Sequence, residues 1–472
     1  MQPNPRQSFA KLEHRLRPLL PAQLYADTWV NLSPETLQAV FNHLRTLRYI
    51  LENYVPNPVK RDPPELGVVR SIPQEGALLF TDLAGFTPFM EANAVEGRVG
   101  AQRLLDVLNK YFTAMIEIVS KSGGDLLEFT GDAILAQFLI NRDRSEVARA
   151  VRAGLRMQRA MEQFSAIETA RGEFALRMRV GIHFGPFLAA DVGTPLRMGR
   201  VLLGRTVQTA KRAEGAGQVG RVCLTPQAAK RIKADFRLDE HHAHDEEHYL
   251  VVDDLSHDTL GEYEIAVRRR SSTPIFFDRS MPTLITEIKT LLKDVEPLAC
   301  YLPQPVLKLL VDNAAEREIP PDFPSVTVLF VNLLGISDTF DEISKDDGDL
   351  LIHAVSRVFS LIDAMVKAQG GVLQRMTYHL NGSDLLIYFG TPNAHTNDAT
   401  RAAITACAIR QIIQEMPPLE LRSRTVELVC QLGMAWGQVF AVEIGERRGR
   451  REYNILGVTA NTAARMMTSA KP

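Results

Sequence analysis

The sequence predicts an α+β protein built from two copies of one βαββαβ unit, and three observations carry that reading. Glycines recur at matched spacing: Gly85 with Gly335, Gly124 with Gly371, Gly181 and Gly185 with Gly433 and Gly437, and Gly204 with Gly457. Their offsets are 250, 247, 252 and 253 residues, and self-similarity at a near-constant offset marks a repeated structural unit. Between these markers both copies run strand, helix, hairpin, helix, strand. Finally, 45% hydrophobic and 23% charged residues describe an ordinary globular chain, and 472 residues allow about three compact units.

The elements follow in chain order. Residues 1–74 read as a helical leader, opened by Leu16-Arg17-Pro18-Leu19-Leu20-Pro21. Residues 75–267 form the first lobe. Ala77 to Thr81 is a short apolar strand. Leu104, Leu105, Leu108, Phe112, Met115 and Val119 share one helical face. Gly123-Gly124 stops that helix before the hairpin. Residues 268–323 are a linker and a second helical lead-in, with Arg268-Arg269-Arg270 and prolines first and Glu296-Pro297-Leu298 to Leu310 after. Residues 324–472 form the second lobe, with its strand at Val326 to Val331. Its helix carries Leu351, Val355, Val358, Phe359, Ile362 and Val366 before Gly370-Gly371. The first lobe continues well past Arg212, through Arg221-Val222-Cys223-Leu224 and a strand around Tyr263, whereas seven residues follow Arg465. The expectation is a second lobe short of its C-terminal strands, an unpaired sheet edge, and a longer protein with a further module beyond residue 472.

A formal charge of −2 gives no general field toward nucleic acid or anionic lipid. No apolar run approaches the roughly 18 residues a membrane helix needs, and Met1 to Phe9 is too polar for a secretory signal. Cys223, Cys300, Cys407 and Cys430 are scattered without a Cys-x-x-Cys pair, which reads as reduced core thiols in a cytoplasmic protein. Arg268 to Arg270 and Arg447 to Arg451 read as solvated loop residues. The acidic and histidine-rich run Asp239 to His248 reads as a solvated hairpin in preference to a transition-metal site.

The polar signal is divided between the copies. Asp82 ends a strand and Asp132 sits in a tight Gly-Asp turn, an arrangement in which adjacent strand ends bring two carboxylates together for metal ions. Gly85-Phe86-Thr87 turns the chain so that backbone N–H groups can face a polyphosphate at a helix start. Either aspartate alone would be read as a turn cap; the repeat is what lifts the pair above that. In the second copy Asn332 and Ser383 stand at those positions. Conversely, Asn461 and Arg465 lie four apart on one helical face, with Gln208 and Arg212 as their first-copy equivalents. An amide can orient a ribose and a guanidinium can stabilise charge on a reacting phosphate.

Three motifs appear in order: Phe80-Thr81-Asp82-Leu83-Ala84-Gly85-Phe86-Thr87, Gly123-Gly124 followed by Phe129-Thr130-Gly131-Asp132, and Gly457-x-x-x-Asn461-x-Ala463-x-Arg465. With them the chain resembles the class III nucleotidyl cyclases over roughly residues 70 to 472, and most of all the soluble, bicarbonate-responsive adenylyl cyclases with tandem lobes. The resemblance implies two ferredoxin-like cyclase lobes packed head to tail as a pseudo-dimer, with one interface site catalytic, and so a monomer. It implies conversion of ATP to 3′,5′-cyclic AMP and pyrophosphate. Asp82, Asp132 and the Leu83 carbonyl would hold two magnesium ions, with manganese able to replace them. Asn461 would position the ribose, Arg465 would neutralise developing charge, and Arg179 would meet the phosphates. Gly85, Phe86 and Thr87 would border them.

Departures from the family pattern keep alternatives open. Arg375 stands at the base-reading lysine and Asn454 at the base-reading threonine or aspartate. Glu128 stands at the bicarbonate-binding lysine, with Arg212 as its companion, so no bicarbonate activation is expected. A guanylate cyclase and a catalytically weak nucleotide-binding module remain as alternative readings.

Overall fold

The computed structural model describes residues 5–140, 145–169, 171–243, 245–255, 280–336, 345–379, 382–422, 424–446 and 449–472. The described leader is helical as far as Arg61, and its longest helix, α1 (Pro34–Tyr54), starts at Ser33, whose hydroxyl accepts from the Thr36 N–H. The first lobe then runs β1 (Arg70–Ala84), α2 (Phe86–Ala94), α3 (Gly97–Lys121), β2 (Asp125–Thr130), β3 (Ala133–Leu139), α4 (Glu146–Ala160), β4 (Arg177–Thr194), β5 (Arg197–Leu203) and α5 (Arg205–Ala216). It closes with β6 (Val222–Leu224), β7 (Phe236–Ala243) and β8 (Glu246–Asp254). Two lead-in helices follow, α6 (Met281–Ala299) and α7 (Gln304–Asp312). The second lobe comprises β9 (Ser325–Leu334), α8 (Lys345–Ala368), β10 (Val372–His379), β11 (Gly382–Phe389), α9 (Asp398–Gln414), β12 (Val429–Gln438), β13 (Phe440–Gly445), β14 (Arg451–Leu456) and α10 (Val458–Ser469).

Both sheets have the strand order of the βαββαβ unit. In the first lobe it is β2-β3-β1-β4, and in the second β10-β11-β9-β12. The repeat extends to irregularities. Each hairpin carries a register shift at the same place, between Leu126 and Glu128 in one and between Leu373 and Arg375 in the other. Gly85 (φ 91°) and Gly335 (φ 98°) make the same left-handed turn after the central strand, and a Cβ on either would strike a carbonyl oxygen, at 2.6 Å and 2.4 Å. Gly181 and Gly433 let a helix lie directly on the sheet: a Cβ would sit 2.1 Å from the Glu214 nitrogen in one lobe and 2.2 Å from the Met467 nitrogen in the other. The periodic apolar positions of α3 and α8 are all buried.

The lobes meet face to face, with one apolar core containing both Leu78, Ala133, Leu135 and Val201 of the first and Leu333, Phe359 and Ile387 of the second. Arg197 of β5 crosses the interface, donating to the carbonyls of Leu373 and Gln374 at 3.2 and 3.0 Å. The leader and the lead-in helices pack on each other, through a core including Leu16, Leu44, Leu51, Ile288, Val295 and Leu298 and a two-pronged Arg15–Glu296 pair at 2.6 and 2.7 Å.

Several expectations change. The first strand begins at Arg70, so the first lobe starts before residue 75. Arg450 is half-buried and Arg451 buried, not solvated: Arg450 donates to the Tyr54 carbonyl at 2.5 Å, and Arg451 pairs with Glu443 at 3.1 Å. Cys407 is exposed and so is no core thiol, unlike Cys223 and Cys300. The run from Asp239 is a β-hairpin at the sheet edge. Among the described residues, β12 of the second lobe pairs only with β9, whereas its counterpart β4 also takes β6 in parallel. The Arg268 to Arg270 cluster and the strand around Tyr263 lie outside the described residues.

Candidate active site

A cavity of about 210 Å³ lies between the lobes, walled by Phe86, Thr87, Gly131 and Asp132 from the first and by Arg375, Asn454 and Asn461 from the second. Thus six of the residues singled out from the sequence, Phe86, Thr87, Asp132, Arg375, Asn454 and Asn461, share one cleft. Asp82, Leu83 and Gly85 stand beside it on the strand end and turn that lead into Phe86. Arg465 is on α10 one turn beyond Asn461, next to the cleft-lining Ala464, with its side chain exposed. Asp132 and the Asn461–Arg465 helix therefore flank the same cleft.

Local sequence explains each placement. Gly131 (φ 72°) turns the β2–β3 hairpin and delivers Asp132 at its tip. Asp132 is half-buried, and the desolvation it meets there lifts its carboxyl to about 7, with the Asp82 charge pushing the same way. Two half-buried carboxylates that repel each other suit a divalent cation. At present Asp82 is answered by Arg179, its register partner on β4, at 2.6 Å. Arg179 reaches Glu214 as well, at 3.1 Å. Among the described residues no cluster of three or more His, Cys, Asp or Glu side chains is poised for a metal, so any ion here depends on the two aspartates, backbone oxygen and the ligand's own oxygens.

The base end of the cleft differs from the expectation. Arg375 is held by Glu452 at 2.6 Å. Asn454 is fully buried, and its Oδ1 accepts from the Ile455 N–H at 2.9 Å, leaving the amide Nδ2 without a hydrogen-bond partner. Thr377 and Asp384 line the same wall, and sequence reasoning missed both. Asp384 was obscured because repeat alignment put Ser383, one residue earlier, opposite Asp132.

Glu128 does not meet Arg212. It is the two-fold counterpart of Arg375, and the two face each other across the interface, with the Thr377 hydroxyl donating to Glu128 at 3.4 Å. Burial lifts Glu128 to about 7, against the opposing pull of Arg375. Arg212 is exposed on α5.

The comparisons with known proteins agree with this geometry. The family model described as "Adenylate and Guanylate cyclase catalytic domain" matches residues 71–249 and 319–472, which together span most of the chain and both repeats. The chain belongs to this cyclase family. It is 24% identical to adenylate cyclase type 10 of Rattus norvegicus over 401 residues, 83% of this chain and 24% of that protein. For the Homo sapiens protein of the same name identity is 23% over 401 residues, with the same shares. The chain thus spans about a quarter of these relatives' length. Among solved structures, a class III adenylyl cyclase-like ATP-binding protein from Pseudomonas aeruginosa matches 91% of this chain and 89% of its own, at TM-score 0.57 and 15% identity. That likeness covers both cyclase lobes at once and concerns the fold. Among the described residues no helix is long and apolar enough to cross a membrane.

Proposed function

We propose that the chain is an adenylate cyclase, converting ATP to 3′,5′-cyclic AMP and pyrophosphate in the cleft between its lobes. The observation that carries this is the joint lining of one cavity by Asp132 of the first lobe and by Asn454 and Asn461 of the second. The adenylate cyclases among its relatives point the same way.

Asp82, Asp132 and the Leu83 carbonyl would hold two magnesium ions, or manganese. Bound there, such ions lower the pKa of a ribose 3′-hydroxyl and offset charge on a departing pyrophosphate. The chain's own groups do the rest. Asn461 orients the ribose so that its 3′ oxygen lies in line with the α-phosphorus. That oxygen forms the new P–O bond, the bond to the β-phosphate oxygen breaks, and the hydroxyl proton leaves to solvent. Thr87 and the N–H groups opening α2 bind phosphate oxygens, and Arg465 stabilises charge that builds on the α-phosphate. Arg179, paired with Asp82, is the cation on this side of the cleft that would meet the phosphates. Arg375 and Asn454 border the base. Because both lobes are supplied in one chain, a monomer suffices.

Incubating the protein with magnesium or manganese and either ATP or GTP, then identifying the product, tests the proposal. Cyclic AMP is the expected product. Cyclic GMP would assign the other purine, and bound but unconverted nucleotide would make the lobes a binding module.

A further inference from the structure

The second-lobe wall of the cleft is a grid of side chains from three neighbouring strands. Register places Phe330, Leu386 and Arg375 in one row, and Asn332, Asp384 and Thr377 in the next. The first lobe repeats that grid with different chemistry. There Phe80, Leu135 and Glu128 form one row, and Ala133 stands beside Thr130 in the other. Ala133 therefore occupies the position of Asp384, packed in an apolar core. The fold accepts a methyl group at this position, so a carboxyl there is no requirement of folding. It is also costly, because a buried carboxylate gives up water; accordingly burial pushes Asp384 up to about 7.

Asn454 supplies a second, independent observation. The Ile455 N–H can only donate, so it fixes the Asn454 Oδ1 toward itself and turns the amide NH₂ the other way. That Nδ2 is buried, has no partner, and belongs to a cleft-lining residue. Its first-lobe equivalent by the Gly204–Gly457 offset is Val201, again apolar and buried. On this wall the second lobe thus has a donor and an acceptor where the first has two hydrocarbon side chains. An N–H donor beside a carboxylate acceptor is complementary to the edge of adenine, where ring N1 accepts and the 6-amino group donates. Arg375, engaged by Glu452, is left as the neighbour of this pair and not the reader.

We propose that Asp384 is a base-reading residue, its carboxylate accepting from the 6-amino group of adenine while the Asn454 amide donates to ring N1. This rests on the nucleotide-binding reading above and adds the residue that selects the purine.

The test compares two probes on the full chain, α,β-methylene-ATP and the corresponding purine riboside triphosphate, which lacks only the 6-amino group. The unaltered protein should bind the first about tenfold or more tightly than the second, the usual scale for one charge-assisted hydrogen bond. Asp384→Ala should weaken the first by a similar factor and leave the second within about twofold. Asp384→Asn, which keeps a carbonyl acceptor, should recover much of the loss. Equal weakening of both probes, or of neither, would overturn the assignment, and a matched thermal midpoint separates a folding defect from a lost contact. Tighter binding of α,β-methylene-GTP by the unaltered protein would overturn the adenine contact, and binding of no nucleotide analogue would overturn the function proposed above as well.

Discussion

The two lobes have one fold and two chemistries. Gly85 and Gly335 make the same turn, Gly181 and Gly433 admit the same close helix, and the bulges preceding Glu128 and Arg375 coincide. Polar positions do not coincide. The counterparts of Asp82 and Asp132 are Asn332 and Ser383, while those of Asp384 and Asn454 are Ala133 and Val201. The lesson is a division of labour: backbone geometry is duplicated because packing demands it, and acidic and base-facing groups are allotted to one lobe each. As a result the cleft lined by Asp132 and Asn461 sets a few polar groups among apolar walls, while Ala133, Val201, Leu203 and Val207, the first-lobe counterparts of Asp384, Asn454, Leu456 and Ala460, all lie in the shared apolar core.

That comparison can be broken at several points. The largest expected effect is on Arg465 against its counterpart Arg212. Arg465→Ala should lower kcat about a hundredfold or more, equivalent to about 3–4 kcal/mol, with a modest change in KM. Arg212→Ala should leave both constants alone. Equal losses in steady-state kinetics would mean that the lobes share the chemistry. Next come the duplicated glycines. Gly181→Ala and Gly433→Ala each force a Cβ into helix backbone, so each should cost about 2–3 kcal/mol in denaturant titration. If only one lobe is sensitive, the packing symmetry is apparent and not energetic.

The third prediction concerns pH. Glu128 is lifted to about 7 from its ordinary value of 4.5, so between those limits the folded protein holds a proton that the unfolded chain has released. Stability supplied by that proton is complete at low pH and is lost as pH rises through about 7. Glu128→Gln should flatten this part of the stability–pH curve. An unchanged curve in Glu128→Gln would mean that Glu128 supplies no pH-dependent stability at the interface. The smallest effect is outside the lobes. The Arg15–Glu296 pair is partly exposed, so Arg15→Ala should cost about 1 kcal/mol or less, measured as a shift in thermal midpoint.

Much of this architecture was legible in the sequence because it is periodic. The glycine offsets exposed the repeat, and the apolar positions of α3 and α8 named their buried faces. Site residues next to a distinctive turn, Asp132 after Gly131 and Asn461 after Gly457, were legible for the same reason. What escaped depends on contacts between segments distant in sequence. The arginines around Arg450 look like a loop cluster, yet Arg450 is held against the Tyr54 carbonyl of the leader and the Glu452 side chain. Glu128 invited pairing with Arg212 by family analogy, but the pseudo-two-fold puts Arg375 in front of it. Asp384 carried a usable signal: it lies two residues before the buried Leu386 on one strand, hence on the same face.

The central claim is that first-lobe carboxylates and second-lobe polar groups act in one cleft, and Asp132→Asn tests it most directly. Cyclic AMP formation from ATP and binding of α,β-methylene-ATP would be measured together. Turnover should fall about a hundredfold or more, with the variant still folded and still binding the analogue. Undiminished turnover in Asp132→Asn would contradict it.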